Sequence, residues 1–149
     1  MPSTEKPWIL GISASHNGSV CLLHGDEIVV AIQEERLSRF KRHRVYGRGP
    51  SLAAQYCLDY AEIDPAELDL IVLCVQGRLT DEAHDIRLDP FLNLRAHDVP
   101  LLTIPHHYGH AFSAFATSGF AEAAILIVDG AGSPSSDFTA AEKQLLNGG

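Results

Sequence analysis

Short apolar runs, each closed by a polar or glycine-bearing break, set the rhythm of the chain. "WILGIS" (Trp8 to Ser13) is the first and predicts a buried strand. After "ASHNG" comes "SVCLLHGDEIVVAIQEER", in which Gly25-Asp26 separates two apolar, β-branched runs as a hairpin turn does. The expectation is three consecutive strands, the last two antiparallel. Pro50-Ser51 then opens a helix, and the fourfold spacing of Leu52, Tyr56 and Tyr60 predicts an apolar face turned toward a sheet. Asp64, Pro65 and Glu67 stand where an N-cap, a first helical position and a third helical position belong, just before a strand from Leu70 to Val75. Residues 76–100 are more polar and less periodic, and read as loop with one helical turn. "PLLTIP" predicts a further strand, and "YGHAFSAFATSGF" a helix that starts at or just before Tyr108 and ends near Gly119. "EAAILIVDGAGS" predicts a fully apolar strand running into a glycine-rich loop. Strands first, then helices between further strands, describe an α/β domain with a mixed sheet and flanking helices.

Composition narrows this picture without changing it. A chain of 149 residues, 46% hydrophobic, supports one modest domain, and it contains no internal repeat or linker. The net charge of −8 argues against a surface made for nucleic acid, so no nucleic-acid partner is expected. Cys21, Cys57 and Cys74 lie far apart in apolar segments with no C-x-x-C spacing, as buried reduced thiols do. There is no basic n-region leading into a long apolar run, and no segment nears the roughly 18 apolar residues of a membrane span. A soluble, cytoplasmic protein without a membrane partner is the expectation.

Candidate chemistry concentrates in "IPHHYGHAFSAF". With a helix starting near Tyr108, His106 and His110 lie one turn apart and face one side, the helical half of many metal sites. Asp129, the first polar residue after the "AAILIV" run, is the third candidate donor, because ligands of α/β sheets gather beyond strand ends. Histidine nitrogens with a carboxylate suit iron, manganese or zinc better than calcium. The competing reading makes His106 and His107 helix caps and His110 an ordinary polar contact; spacing alone favours it, and the nearby strand-Asp-Gly motif brings the two level. In "ASHNGS", small residues allow close backbone approach and His16 projects toward any site at the sheet end, or else marks a plain exposed turn. "EERLSRFKRHRVYGR" holds Arg36, Arg39, Lys41, Arg42, Arg44 and Arg48, six of the eleven basic residues. Such concentration in an acidic chain suggests an anion or phosphate site, with a solvated basic face or an RNA contact as alternatives and Glu34 and Glu35 blunting its leading edge.

"ILGISASHNGSVCLLHGDEIVVAIQEERLSRFKRHR", "HHYGHAFSAFATSGF" and "ILIVDGAGS", in this order and spacing, resemble the N-terminal part of the O-carbamoyltransferases, the family of the nodulation and antibiotic-decorating enzymes. The resemblance implies the first half of an actin-like, sugar-kinase-type (ribonuclease H-like) domain, related to the universal tRNA threonylcarbamoyl transferase. It implies a carbamoyl-adenylate made from carbamoyl phosphate and ATP by a C-terminal domain, and transfer of its carbamoyl group to a hydroxyl of a small-molecule acceptor. It also implies a divalent metal, Fe(II) foremost, on His106, His110 and Asp129. By the same likeness His16 contacts the reacting group as a catalytic residue. Lys41 lies near nucleotide or carbamoyl oxygens in a catalytic and cofactor-binding role, and Arg39, Gly130 and Gly132 join it in cofactor binding. Where the family often has an aspartate after the first-loop histidine, this chain has Asn17.

Family members are several times longer. Residues 1–149 are therefore expected to form a truncated N-terminal domain, without the adenylate-forming domain and inactive alone, with a complementary C-terminal half or a second copy as partner. A metal-dependent hydrolase and a non-catalytic, partner-seeking fragment are the alternative functions.

Overall fold

The computed structural model describes residues 6–14, 17–45, 50–75, 89, 92 and 97–129. Its centre is a five-stranded sheet in the order β3-β2-β1-β4-β5. The strands are β1 (Trp8–Ser13), β2 (Ser19–His24), β3 (Glu27–Gln33), β4 (Leu70–Val75) and β5 (Leu101–Pro105). β1 pairs antiparallel with β2, and β2 antiparallel with β3. On the other side β1, β4 and β5 run parallel. The β2–β3 connection is the expected two-residue turn, and Gly25 takes φ 65 there, a conformation that costs a residue with a Cβ. The α/β mixed sheet with flanking helices is thus observed.

Alternation along the strands decides which face becomes the core. Leu10 and Ile12 of β1, Val20 and Leu22 of β2, and Ile71, Leu73 and Val75 of β4 are all buried. Their registers align them, with Leu10 opposite Ile71 and Ile12 opposite Leu73. α2 (Leu52–Ala61) covers this face with Ala53, Ala54, Cys57 and Leu58. Burial, aided by the nearby Cys21 thiol, pushes the Cys57 thiol up to about 12, so this sulfur serves packing and not nucleophilic chemistry.

Here one expectation is overturned. Leu52, Tyr56 and Tyr60 are 42%, 39% and 61% exposed, on the outer side of α2. Small residues fill the inner side because they let the helix approach the sheet closely. The two tyrosines instead stack on each other, 6.2 Å between ring centroids. The fourfold spacing was correct for a helix but marked its wrong face.

Caps and turns fix the rest. Ser51 is the N-cap of α2, its hydroxyl accepting from the Ala54 amide. A short 3-10 helix, Pro65–Glu67, carries the full capping box on Asp64 and Glu67. α1 (Glu34–Ser38), which the hydrophobic pattern did not suggest, follows β3 directly.

α3 (His106–Ala116) starts two residues earlier than expected, immediately after β5, and ends before Gly119. It lies on the sheet face opposite α2: a Cβ on Gly109 would sit 2.8 Å from Cys74 Sγ. The expected strand at 122–129 is not part of the sheet. Residues 123–129 are described without strand pairing, and Leu126 and Val128 are 88% and 85% exposed. An apolar run becomes a strand only where another strand pairs with it, and none of the five described strands does. Among the described residues no helix is long and apolar enough to cross a membrane. Of the region 76–100, read as loop with one helical turn, all but residues 89, 92 and 97–100 lie outside the described residues.

Candidate metal centre at the sheet edge

The parallel strands β1, β4 and β5 all end on one edge, at Ser13, Val75 and Pro105. In α/β sheets that edge is where ligands bind. Pro105 is the N-cap of α3 and supplies no side-chain cap, so the helix begins at once with His106. The alternative in which His106 and His107 cap the helix therefore has no counterpart in the structure. One turn on, His110 comes to the same side.

Three donor atoms meet there. His106 Nε2 is 2.8 Å from Asp129 Oδ2, and His110 Nε2 is 2.9 Å from His106 Nε2. His110 Nε2 is also 3.5 Å from Asp129 Oδ2, closing the triangle. The side chains of His106, Asp129 and His110 are 16%, 29% and 47% exposed, so the cluster is shielded on the helix side and open on one flank. The open flank adjoins a cleft between α3 and the extended segment, lined by Ser113, Ala114, Thr117 and Ile125 to Val128.

The donor set fits a divalent cation. A neutral imidazole carries one N–H and one lone pair, so two Nε2 atoms and a carboxylate oxygen crowded together cannot all be satisfied by one shared proton. Three lone pairs directed at one ion satisfy all of them. Edges of 2.8, 2.9 and 3.5 Å are those of neighbouring ligand atoms at metal–ligand bonds of roughly 2.0–2.2 Å. His106, His110 and Asp129 also form the one cluster of metal-capable side chains found among the described residues. Two nitrogens and one carboxylate with an open side resemble sites for iron or zinc.

The other expected site residues lie elsewhere. Arg39 and Lys41 are described and exposed, on the turn after α1. That turn follows β3, at the opposite margin of the sheet from β5. Four strand spacings, about 19 Å, separate the two margins, so the structure does not bring Arg39 or Lys41 against the histidines. Arg39 and Arg42 both adopt left-handed backbone, φ 61 and 56. Glu35 holds the turn, its carbonyl accepting from the Arg39 amide and its carboxylate from the Arg42 amide, each at 3.0 Å. His16, Gly130 and Gly132, and also Arg48, lie outside the described residues.

Sequence reasoning missed the role of Glu34. It is 1% exposed and caps α2 from outside the helix. Its carboxylate accepts from Ser51 Oγ at 3.1 Å, the Leu52 amide at 3.0 Å and the Ala53 amide at 2.9 Å. Asp89, 3% exposed, accepts from the Ser51 amide at 3.2 Å. The backbone at Glu34 also donates to Gly18, and Gly18 donates to the His43 carbonyl. A Cβ on Gly18 would lie 2.4 Å from the Val45 nitrogen, so glycine is required for the first loop and the basic turn to touch. Glu34 thus ties the first loop, the basic turn and α2 together, and does not dilute a cationic patch. The buried contact between positions 34 and 51 spans too much sequence for any local pattern to have shown it.

Comparison with known proteins adds a family. A model of the carbamoyltransferase N-terminus matches residues 8–99, the stretch from β1 to just before β5. Nodulation protein NolNO of Sinorhizobium fredii is 31% identical, over 78% of this chain and 20% of its own length. An uncharacterized protein of Synechocystis is 33% identical over 83% of this chain and 25% of its own length. The chain therefore spans about a fifth to a quarter of these relatives. Among solved structures, YeaZ from Pseudomonas aeruginosa superposes with a TM-score of 0.51 at 21% identity, covering 76% of this chain and 50% of YeaZ. That likeness shows the fold, an actin-like one.

Proposed function

The chain belongs to the carbamoyltransferase family, and from that premise we propose that it is the N-terminal part of an O-carbamoyltransferase. Its donor is carbamoyl-adenylate, formed from carbamoyl phosphate and ATP, and its acceptor is a hydroxyl of a small molecule. The observation that carries this reading is the meeting of His106, His110 and Asp129 at the end of β5, with one flank open.

His106, His110 and Asp129 would hold a divalent ion of the iron type, which would supply Lewis-acid polarisation of the carbamoyl carbonyl, a poor electrophile on its own. The chain's side chains do the rest. His106 and His110 are held at one-turn spacing by α3, and the Asp129 carboxylate balances positive charge between them. Arg39 and Lys41, on the β3 side of the sheet and far from the histidines, are assigned to the nucleotide end of the donor and not to the oxygens beside the carbamoyl carbon. Gly130 and Gly132 allow the backbone close approach to the nucleotide. His16 accepts the hydroxyl proton as the acceptor oxygen bonds to the carbamoyl carbon, while the bond from that carbon to the phosphate oxygen breaks and AMP leaves with the electron pair. On this reading the 149 residues contribute the transfer site, and adenylate formation belongs to the further length that the relatives possess.

The test supplies the chain with Fe(II), ATP, carbamoyl phosphate and a panel of small polyols, with and without the remaining portion of a relative. Carbamoyl-dependent exchange between ATP and pyrophosphate, and carbamoylated polyol, are expected only with that portion. His110→Ala should then abolish transfer and spare exchange. Hydrolysis by the chain alone would favour a metal-dependent hydrolase, and silence in every arm a non-catalytic fragment.

A further inference from the structure

The two sides of the metal-capable triangle are held with very different firmness. His106 and His110 stand on α3, whose backbone is hydrogen-bonded within the helix and whose first turn continues β5. Asp129 stands on an extended segment with no strand pairing, in which Ile125, Leu126 and Val128 are 43%, 88% and 85% exposed. The Asp129 carboxylate joins this segment to α3, 2.8 Å from His106 and 3.5 Å from His110. Packing adds little: the Ile125 to Val128 stretch only lines the cleft above Ser113, Ala114 and Thr117.

A segment so placed has few buried contacts to pay the entropy of being fixed. We propose that the metal centre has a structural function besides its chemical one: a divalent cation is the clasp that docks residues 121–129 onto α3. The inference rests on the metal reading above. An ion shared by Asp129 and the two histidines binds the docked arrangement and has no comparable site when the segment swings away. Binding and docking are then one equilibrium, and the ion shifts it by mass action. Only one donor comes from the segment, so the coupling passes through Asp129.

The experiment uses the whole 149-residue chain, stripped of metal with a chelator and then titrated with Co(II). Visible absorption reports coordination, and limited proteolysis by subtilisin, read by mass spectrometry, is followed separately for residues 121–129 and for β1 and β4. Saturating Co(II) should slow cleavage within 121–129, by up to about a hundredfold at a free concentration 100 times Kd, while β1 and β4 stay resistant. Asp129→Asn should lose the protection of the segment, and His107→Ala should keep both absorption and protection. If Co(II) binds the histidines with its usual spectrum and cleavage within 121–129 does not slow, the clasp is refuted and the metal site survives. The clasp also falls if Asp129→Asn is protected as well as the unmodified chain. If no Co(II) binds at all, the metal reading itself fails and the clasp with it. Continued resistance of β1 and β4 shows in each variant that the fold is intact.

Discussion

The molecule divides at β4 into two regions built on different terms. From β1 to β4, with α1 and α2, alternate strand residues and one helix face disappear into a common core: Leu10, Ile12, Val20, Leu22, Leu58, Ile71 and Leu73 are each no more than 2% exposed. Beyond β5, in α3 and the extended segment, apolar side chains stay largely in the open. α3 has no buried residue at all, and Phe112, Phe120, Leu126 and Val128 are each more than 60% exposed. Hydrophobicity is therefore not what separates the two. The first region has a layer on each strand that matters, and the second has apolar surface with nothing described against it. The candidate chemistry sits in the second region, on the rim that the first region holds steady.

Truncating side chains on either side is the most direct way to break that contrast. Leu73→Ala removes a fully buried side chain from the central strand pair and should cost about 2–5 kcal/mol by the transfer and cavity terms together. Phe112→Ser removes a larger side chain from α3 and should change stability by no more than about 0.5 kcal/mol, with a gain in solubility. Urea midpoints for the two variants provide the check. Equal losses would mean that α3 is packed far better than its exposure indicates.

Within the first region, Glu34 sharpens the contrast between packing and polar fixation. Glu34→Ala leaves Ser51 Oγ and the Leu52 and Ala53 amides without their acceptor at a buried helix start. The expected loss is about 1–3 kcal/mol. Glu34→Gln should recover only part of it, since an amide offers one acceptor oxygen where the carboxylate uses two. Exchange at the Leu52 and Ala53 amides should rise before any other part of α2. A uniform rise through α2 would show that the helix start is held by packing and not by this carboxylate.

How much of this was legible follows the same division. The strands from Trp8 to Val75, the turn at Gly25 and the Asp64–Glu67 capping box were readable because each depends on neighbours within a few residues. So was the one-turn spacing of His106 and His110, which any helix through both would bring together. The inner face of α2 was misread because large aromatic residues outweigh alanines in any hydrophobic pattern, although alanines let a helix sit closest to a sheet. The run at 123–128 was misread for a different reason: its composition is that of a strand, but strand formation needs a partner edge that no local pattern encodes. Glu34 was missed as a cap because its partners lie 17 to 19 positions away.

The seam between the two regions yields the smallest effect and the most specific one. Gly109 lies inside α3 where helix propensity favours alanine by about 1 kcal/mol. Yet a Cβ there would meet Cys74 Sγ at 2.8 Å, well inside ordinary contact. β4 cannot retreat, because Ile71, Leu73 and Val75 of the same strand are fully buried in the core on its other face. The helix must therefore lift, carrying His106 and His110 with it. Gly109→Ala should consequently show near-zero net stability change, the propensity gain offset by about 1–2 kcal/mol of overpacking, together with weakened Co(II) binding. Cys74→Ala removes the obstructing sulfur, so the double variant should regain metal affinity and show a coupling of about 1 kcal/mol in a double-mutant cycle. Strict additivity, with Gly109→Ala stabilising on its own, would mean that α3 does not rest on β4 at this point. The histidines would then owe their placement to β5 alone.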